Sequence, residues 1–113
     1  MNAVQFIKEN GVEKARGVVD LAPQGATHLS NDTRHYVNAD FKPLPTHIKE
    51  QLPKLIVIEH LKRLVASVDL VKSFGGIANA QEDELWANEL GFGYKGLKHA
   101  IADYEEIFGG EHV

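Results

Sequence analysis

The sequence predicts a mainly helical α+β fold, with about five helices and a small antiparallel sheet of two or three strands. Three observations lead to this prediction. Apolar residues recur every three to four positions through most of the chain, which is the period of an amphipathic helix. Glycines occur at the positions where these helical patterns end. After the second helical pattern, turn-forming residues separate two short β-prone runs. The 113 residues suit a single globular domain, 1–113.

Two helices are predicted at the start of the chain. Asn2 caps the first helix, which stops at Asn10 and Gly11 because glycine readily adopts the left-handed conformation that ends a helix. The second helix fits Val12 to Leu21. Gly17 weakens it by about 1 kcal/mol relative to alanine and indicates that another backbone packs close at that point.

A hairpin and a third strand are predicted next. The runs Thr27 to Leu29 and Tyr36 to Asn38 flank a segment rich in turn residues. The proline-rich connector that follows contains one short helical turn at Thr46 to Leu52. Lys54 to Ile58 is then predicted to be a strand that pairs with the hairpin.

Three further helices are predicted after this sheet, at Glu59 to Phe74, Asn79 to Leu90 and Lys95 to Phe108. Between the last two, residues 91–96 (GFGYKG) match the pattern G-x-G-x-x-G. The dinucleotide-binding form of that pattern needs a strand before it and a βαβ unit around it. Since a helix is predicted before it, we interpret the glycines as a loop between two helices.

Acidic charge is concentrated in the last third of the chain. Residues 77–113 contain eight acids and two bases, whereas residues 1–76 contain eight acids and ten bases. The net charge of −4 therefore combines about +2 in the first segment with about −6 in the second. A local field of one sign selects partners of the opposite sign. It also disfavours direct nucleic-acid binding, which usually relies on a strong basic balance.

The acids fall on two predicted helices. Residues 82–84 (EDE) lie in the first turns of one helix, where the helix dipole favours negative charge. Asp103, Glu105 and Glu106 lie on the predicted solvent side of the last helix, near its C-terminus, where the dipole disfavours negative charge. We therefore expect the second cluster to contact a partner, the alternative being an ordinary solvated face. The candidate partner-binding residues are Asp103, Glu105, Glu106, Glu111, Tyr94 and Trp86.

No residue pattern indicates catalysis or metal binding. The six histidines lack the spacing of a zinc protease, no serine lies in a G-x-S-x-G elbow, and the chain has no cysteine. We predict no catalytic residue, no metal site and no cofactor. His28 and His35 are predicted to face each other across the hairpin. With Tyr36 they supply the polar groups for one alternative function, a small-ligand or enzyme domain with a pocket near the hairpin.

The sequence also predicts a soluble, cytoplasmic protein without membrane association. The longest apolar run, residues 55–58, is far too short to span a bilayer. The first residues lack the apolar core of a signal peptide. The absence of cysteine suits a reducing compartment.

Four blocks of the sequence, at residues 4–11, 22–28, 61–71 and 100–110, carry a resemblance. They are similar to segments of short accessory proteins encoded by temperate, lambda-like phages and prophages. The resemblance implies a bacterial cytoplasm and a host-directed role, and it brings no catalytic residues. Together with the acidic helices, it predicts a protein that acts by protein–protein interaction and modulates a host nuclease or regulator.

The expected partner is a host or phage protein with a basic surface, because complementary charge speeds association and excludes wrong partners. A homodimer is a second expected assembly. The aromatic residues of the C-terminal helices exceed what so small a helical set needs for its core. A nucleic-acid-associated regulator remains the other alternative function.

Overall fold

A computed structural model describes residues 1–91 and 96–109. Within them it shows six α-helices, one 3₁₀ turn and a three-stranded antiparallel sheet, which confirms the mainly helical α+β class. The chain divides into two compact units, Met1–Lys62 and Arg63–Val113. The elements are α1 (Ala3–Asn10), α2 (Val12–Asp20), β1 (His28–Leu29), β2 (Tyr36–Val37), α3 (Thr46–Gln51), a 3₁₀ turn (Leu52–Lys54), β3 (Ile56–Val57), α4 (Ile58–Ser73), α5 (Ile77–Leu90) and α6 (Leu97–Phe108).

The first unit begins with the two predicted helices. The Asn2 side chain accepts a hydrogen bond from the Gln5 amide at 2.8 Å, so Asn2 caps α1 as predicted. Gly11 separates α1 from α2 at φ 90°, a backbone conformation that favours glycine. Phe6 and Ile7 are buried in the core of this unit, and α1 contacts both α2 and β3.

Gly17 does not mark a close approach of another backbone, so that prediction is wrong. A Cβ built on Gly17 meets no atom within 4 Å. The glycine therefore weakens α2 without a packing reason.

The sheet has the strand order β2-β1-β3. The hairpin and the third strand are confirmed, with both neighbours antiparallel to β1 and Leu29 buried at the centre. Thr27, just before β1, joins the three strands at one end. Its amide donates to Val37 O at 2.8 Å, its carbonyl accepts from the Ile58 amide at 3.0 Å, and its hydroxyl oxygen accepts from the Ala39 amide at 2.9 Å.

The second unit contains the rest of α4, with α5 and α6. Gly75 and Gly76, both at positive φ, end α4 and let α5 begin at Ile77, two residues earlier than predicted. In this unit α5 contacts α6. A buried apolar cluster in this unit comprises Val71, Ala80, Leu97, Ala100 and Ile101.

Replacing Gly17 with alanine is expected to stabilise the protein by about 0.5 to 1 kcal/mol, because helix propensity improves and the new methyl group meets open space. Gly75→Ala is the opposite control. Gly75 has φ 95°, and a Cβ there would lie 2.5 Å from Nδ2 of Asn79. Urea denaturation should give a higher midpoint for Gly17→Ala and a lower one for Gly75→Ala. A lower midpoint for Gly17→Ala would contradict the open space seen at α2.

Candidate partner-binding surface

Asp103 is not on the solvent side of α6, so its predicted placement is wrong. Its side chain is buried, and Oδ2 accepts a hydrogen bond from the Ser67 hydroxyl at 2.7 Å. The Arg63 guanidinium reaches the same carboxylate, with Nε 3.3 Å from Oδ2 and a terminal nitrogen 3.4 Å from Oδ1. Asp103 therefore ties α6 to α4 within the second unit and is not available to a partner.

The sequence contained a signal for this burial. Asp103 follows Ala100 by three residues and precedes Ile107 by four, and both of these are buried. Residues at such spacings share one helix face, so Asp103 belongs to the inward stripe of α6. A carboxylate placed there needs a donor, which Ser67 and Arg63 supply.

Glu105 also has a structural partner. The Gln81 side-chain amide donates to its carboxylate and links α5 to α6. Glu106 is exposed, and no residue in the described part of the chain forms an ion pair or hydrogen bond with its side chain. Two other candidates, Glu111 and Tyr94, lie outside the described residues. Of the acids predicted on α6, only Glu106 is an unoccupied surface carboxylate among the described positions.

The acids at residues 82–84 of α5 are not placed where the helix dipole was predicted to stabilise them. Because α5 starts at Ile77, its first turn contains no acidic residue. Glu82 and Asp83 lie beyond that turn, and the dipole effect falls off within it. Both are exposed, and Glu84 is half-buried. The helix dipole therefore does not explain these acids, and exposed Glu82 and Asp83 become candidates to contact a partner.

Three of the four large apolar residues of α5 are exposed, whereas Ile77 packs against the buried cluster. The buried residues of α5 are Ala80 and Ala87. By contrast, residues Leu85, Trp86 and Leu90 are 61%, 56% and 66% exposed. Apolar residues clustered on an exposed surface mark interaction sites more often than residues scattered singly.

The same side of α5 carries carboxylates between these apolar residues. At about 100° per residue, Trp86 and Leu90 lie about 40° apart around the helix axis, with Glu82 and Glu89 on one side of them and Asp83 on the other. Leu85 lies about 100° from Trp86, at the edge of this surface. We call this surface the α5 outer face. It consists of Glu82, Asp83, Leu85, Trp86, Glu89 and Leu90.

The polar groups near the hairpin have structural roles. The Tyr36 hydroxyl donates to Val18 O at 2.5 Å and so holds the hairpin to α2, and burial raises its pKa. His28 pairs across the sheet with Val37 and not with His35, so the predicted facing pair is wrong. The Nδ1 atom of His28 lies 2.8 Å from the Thr27 hydroxyl, and burial lowers the pKa of this histidine. In the described residues, no three metal-ligating side chains come together.

One recess of about 240 Å³ in the second unit brings Ser67, His99 and Asp103 together. These are the residue types of a hydrolytic triad, but the hydrogen bonds differ. In a triad the histidine accepts the serine proton and the aspartate holds the histidine. Here Ser67 donates directly to Asp103, which makes it a support for the buried carboxylate.

The glycine-rich segment joins two helices, as predicted. Gly91 ends α5 and Gly96 precedes α6, both in the left-handed conformation. The four residues between them lie outside the described part of the chain. Because a helix and not a strand precedes Gly91, this segment does not have the structural context of a dinucleotide-binding motif.

Comparison with known proteins adds no family or fold relative. No protein-family model, no curated protein and no solved structure matches this chain. Among residues 1–91 and 96–109, no helix combines the length and the apolar content needed to cross a membrane.

Removing the Asp103 carboxylate is expected to destabilise the protein. Asp103→Ala should lower the free energy of unfolding by about 2 kcal/mol, because Ser67 loses its buried acceptor and packing is lost. Arg63→Ala should cost only about 0.5 kcal/mol, because that side chain is 60% exposed. Glu106→Ala, on the same helix, is the control and should have little effect. Urea denaturation that gave Asp103→Ala the stability of Glu106→Ala would contradict the structural role.

Proposed function

We propose that this protein is an interaction module that binds a partner with a basic surface through the acidic surface of its C-terminal helices. One observation carries the proposal. The fourteen residues of α5 include four acids and no base, and three of those acids, Glu82, Asp83 and Glu89, are exposed. Such a surface attracts cationic surfaces and repels anionic ones, including nucleic acids.

These carboxylates are free to pair with an incoming partner. Within the described residues, no ion pair or side-chain hydrogen bond engages Glu82, Asp83 or Glu89. A partner therefore gains pairs without breaking any that the free protein already makes. Binding through them should weaken as salt is added, because exposed charges are screened over about 10 Å at 0.1 M salt.

The resemblance to phage accessory proteins supports a host-directed use of this surface. We propose a bacterial host protein, or a phage protein, as the partner. A basic surface on a bacterial nuclease or regulator commonly serves to hold nucleic acid. An acidic helix that occupies it would compete with nucleic acid and so modulate that protein's activity.

The charge claim is tested with two matched triple variants. The first combines Glu82→Gln, Asp83→Asn and Glu89→Gln. The control combines Asp20→Asn, Asp40→Asn and Glu50→Gln, which removes the same charge from exposed positions of the first unit. Each exposed ion pair is worth about 0.5 kcal/mol, so losing three should weaken partner binding roughly tenfold, and the control should bind as the unmodified protein does.

The measurement is retention of proteins from bacterial lysate at low and at high salt, followed by titration of the retained partner. Retention should fall at high salt and in the first triple variant. The proposal would be overturned if no partner is retained at either salt concentration. It would also be overturned if retention is the same at both salt concentrations and in the first triple variant.

A further inference from the structure

The apolar residues of the α5 outer face restrict the kind of partner segment that fits it further than charge alone does. Trp86 and Leu90 lie about 40° apart around the axis of α5, and both residues are more than half exposed. Leu85 is also more than half exposed and lies at the edge of the face. Interfaces generally have an apolar, often aromatic centre inside a polar rim. The α5 outer face has this arrangement, with Trp86 and Leu90 in the centre, Glu82 and Glu89 on one side and Asp83 on the other.

Charge complementarity decides between the possible occupants. A second copy that placed its own α5 against this face would bring two sets of unpaired carboxylates together, and like charges facing each other disfavour an interface. A segment with apolar residues flanked by lysine or arginine would instead bury its apolar side on Trp86 while its cations meet Glu82, Asp83 and Glu89.

The shape of the face favours a helix as the occupant. α5 is a regular helix of 14 residues, about 21 Å long, and its outer face is convex. Another helix packs along such a surface by placing its side-chain ridges in the grooves between those of α5. We infer that the α5 outer face is the docking surface for a basic amphipathic helix of the partner. This inference rests on the proposed function and specifies its binding site.

Trp86 supplies a direct readout, because it is the only tryptophan in the chain. The probes are two synthetic amphipathic peptides of about four helical turns with leucine at helical spacing. One carries lysine at its polar positions and the other carries glutamate. At low salt, the lysine peptide should shift Trp86 emission to the blue and protect it from acrylamide quenching, and the glutamate peptide should do neither. This comparison uses the unmodified full chain.

Variants then locate the contact. Leu85→Ala combined with Leu90→Ala should weaken lysine-peptide binding about tenfold or more, since a central leucine contact at Leu90 and an edge contact at Leu85 are lost. The control combines Leu21→Ala with Phe41→Ala, which removes two apolar side chains of similar exposure, 79% and 58%, from the first unit. That control should bind the peptide as the unmodified protein does. Far-ultraviolet circular dichroism confirms that both double variants are folded.

Three results with the peptides would each overturn the inference. These are a lysine peptide that leaves Trp86 as accessible as before, equal protection of Trp86 by both peptides, and a leucine variant that binds the lysine peptide no more weakly than its control. A dimer in light scattering that Leu85→Ala and Leu90→Ala dissociate would instead assign the face to a second copy. If the leucine variant binds the salt-sensitive lysate partner as tightly as its control does, the inference fails and the proposed function stands. If the peptide docks but lysate gives no partner, the proposed function fails alone.

Discussion

The packing of α5 against α6 through small side chains determines which residues of α5 remain exposed. Ala80 and Ala87 occupy the buried positions of α5, which packs against α6. Ile77 joins this buried side, partly covered, whereas Leu85, Trp86 and Leu90 remain exposed. The exposed Trp86 is therefore a consequence of how α5 is seated. A helix placed this way presents a surface suited to a second interaction.

The structure separates the acids that hold the protein together from those that remain available. Asp103 and Glu105 accept hydrogen bonds from Ser67 and Gln81 and connect helices of the second unit. Glu82 and Glu89 have no such partners among the described residues and lie beside the exposed apolar side chains. Negative charge on α6 is thus partly structural, whereas negative charge on α5 is mostly surface. This distinction moves the proposed interface from α6 to α5.

Much of the fold could be predicted because its signals are local. Helical periodicity, glycine stops and the turn between β1 and β2 depend on neighbouring residues, and the helices and the hairpin agree with them. The helical spacing of Asp103 places it on the inward stripe of α6, but its hydrogen-bond donor Ser67 is 36 residues away and no local pattern identifies it. The sequence also does not show which side of α5 is buried, because apolar residues occur all around that helix. Its contact with α6 decides which of them are buried.

In the free protein, Trp86 lies exposed between the carboxylates of Glu82 and Glu89 on one side and Asp83 on the other. Collisional quenching by caesium and by iodide at low ionic strength tests this arrangement most directly, because the two ions differ in charge sign. Relative to the quenching of free N-acetyltryptophanamide by each ion, we predict that caesium quenches Trp86 more strongly than iodide does. This difference should shrink when Glu82, Asp83 and Glu89 are neutralised or salt is added. The same relative quenching by both ions, or a Trp86 that acrylamide cannot reach, would contradict this arrangement.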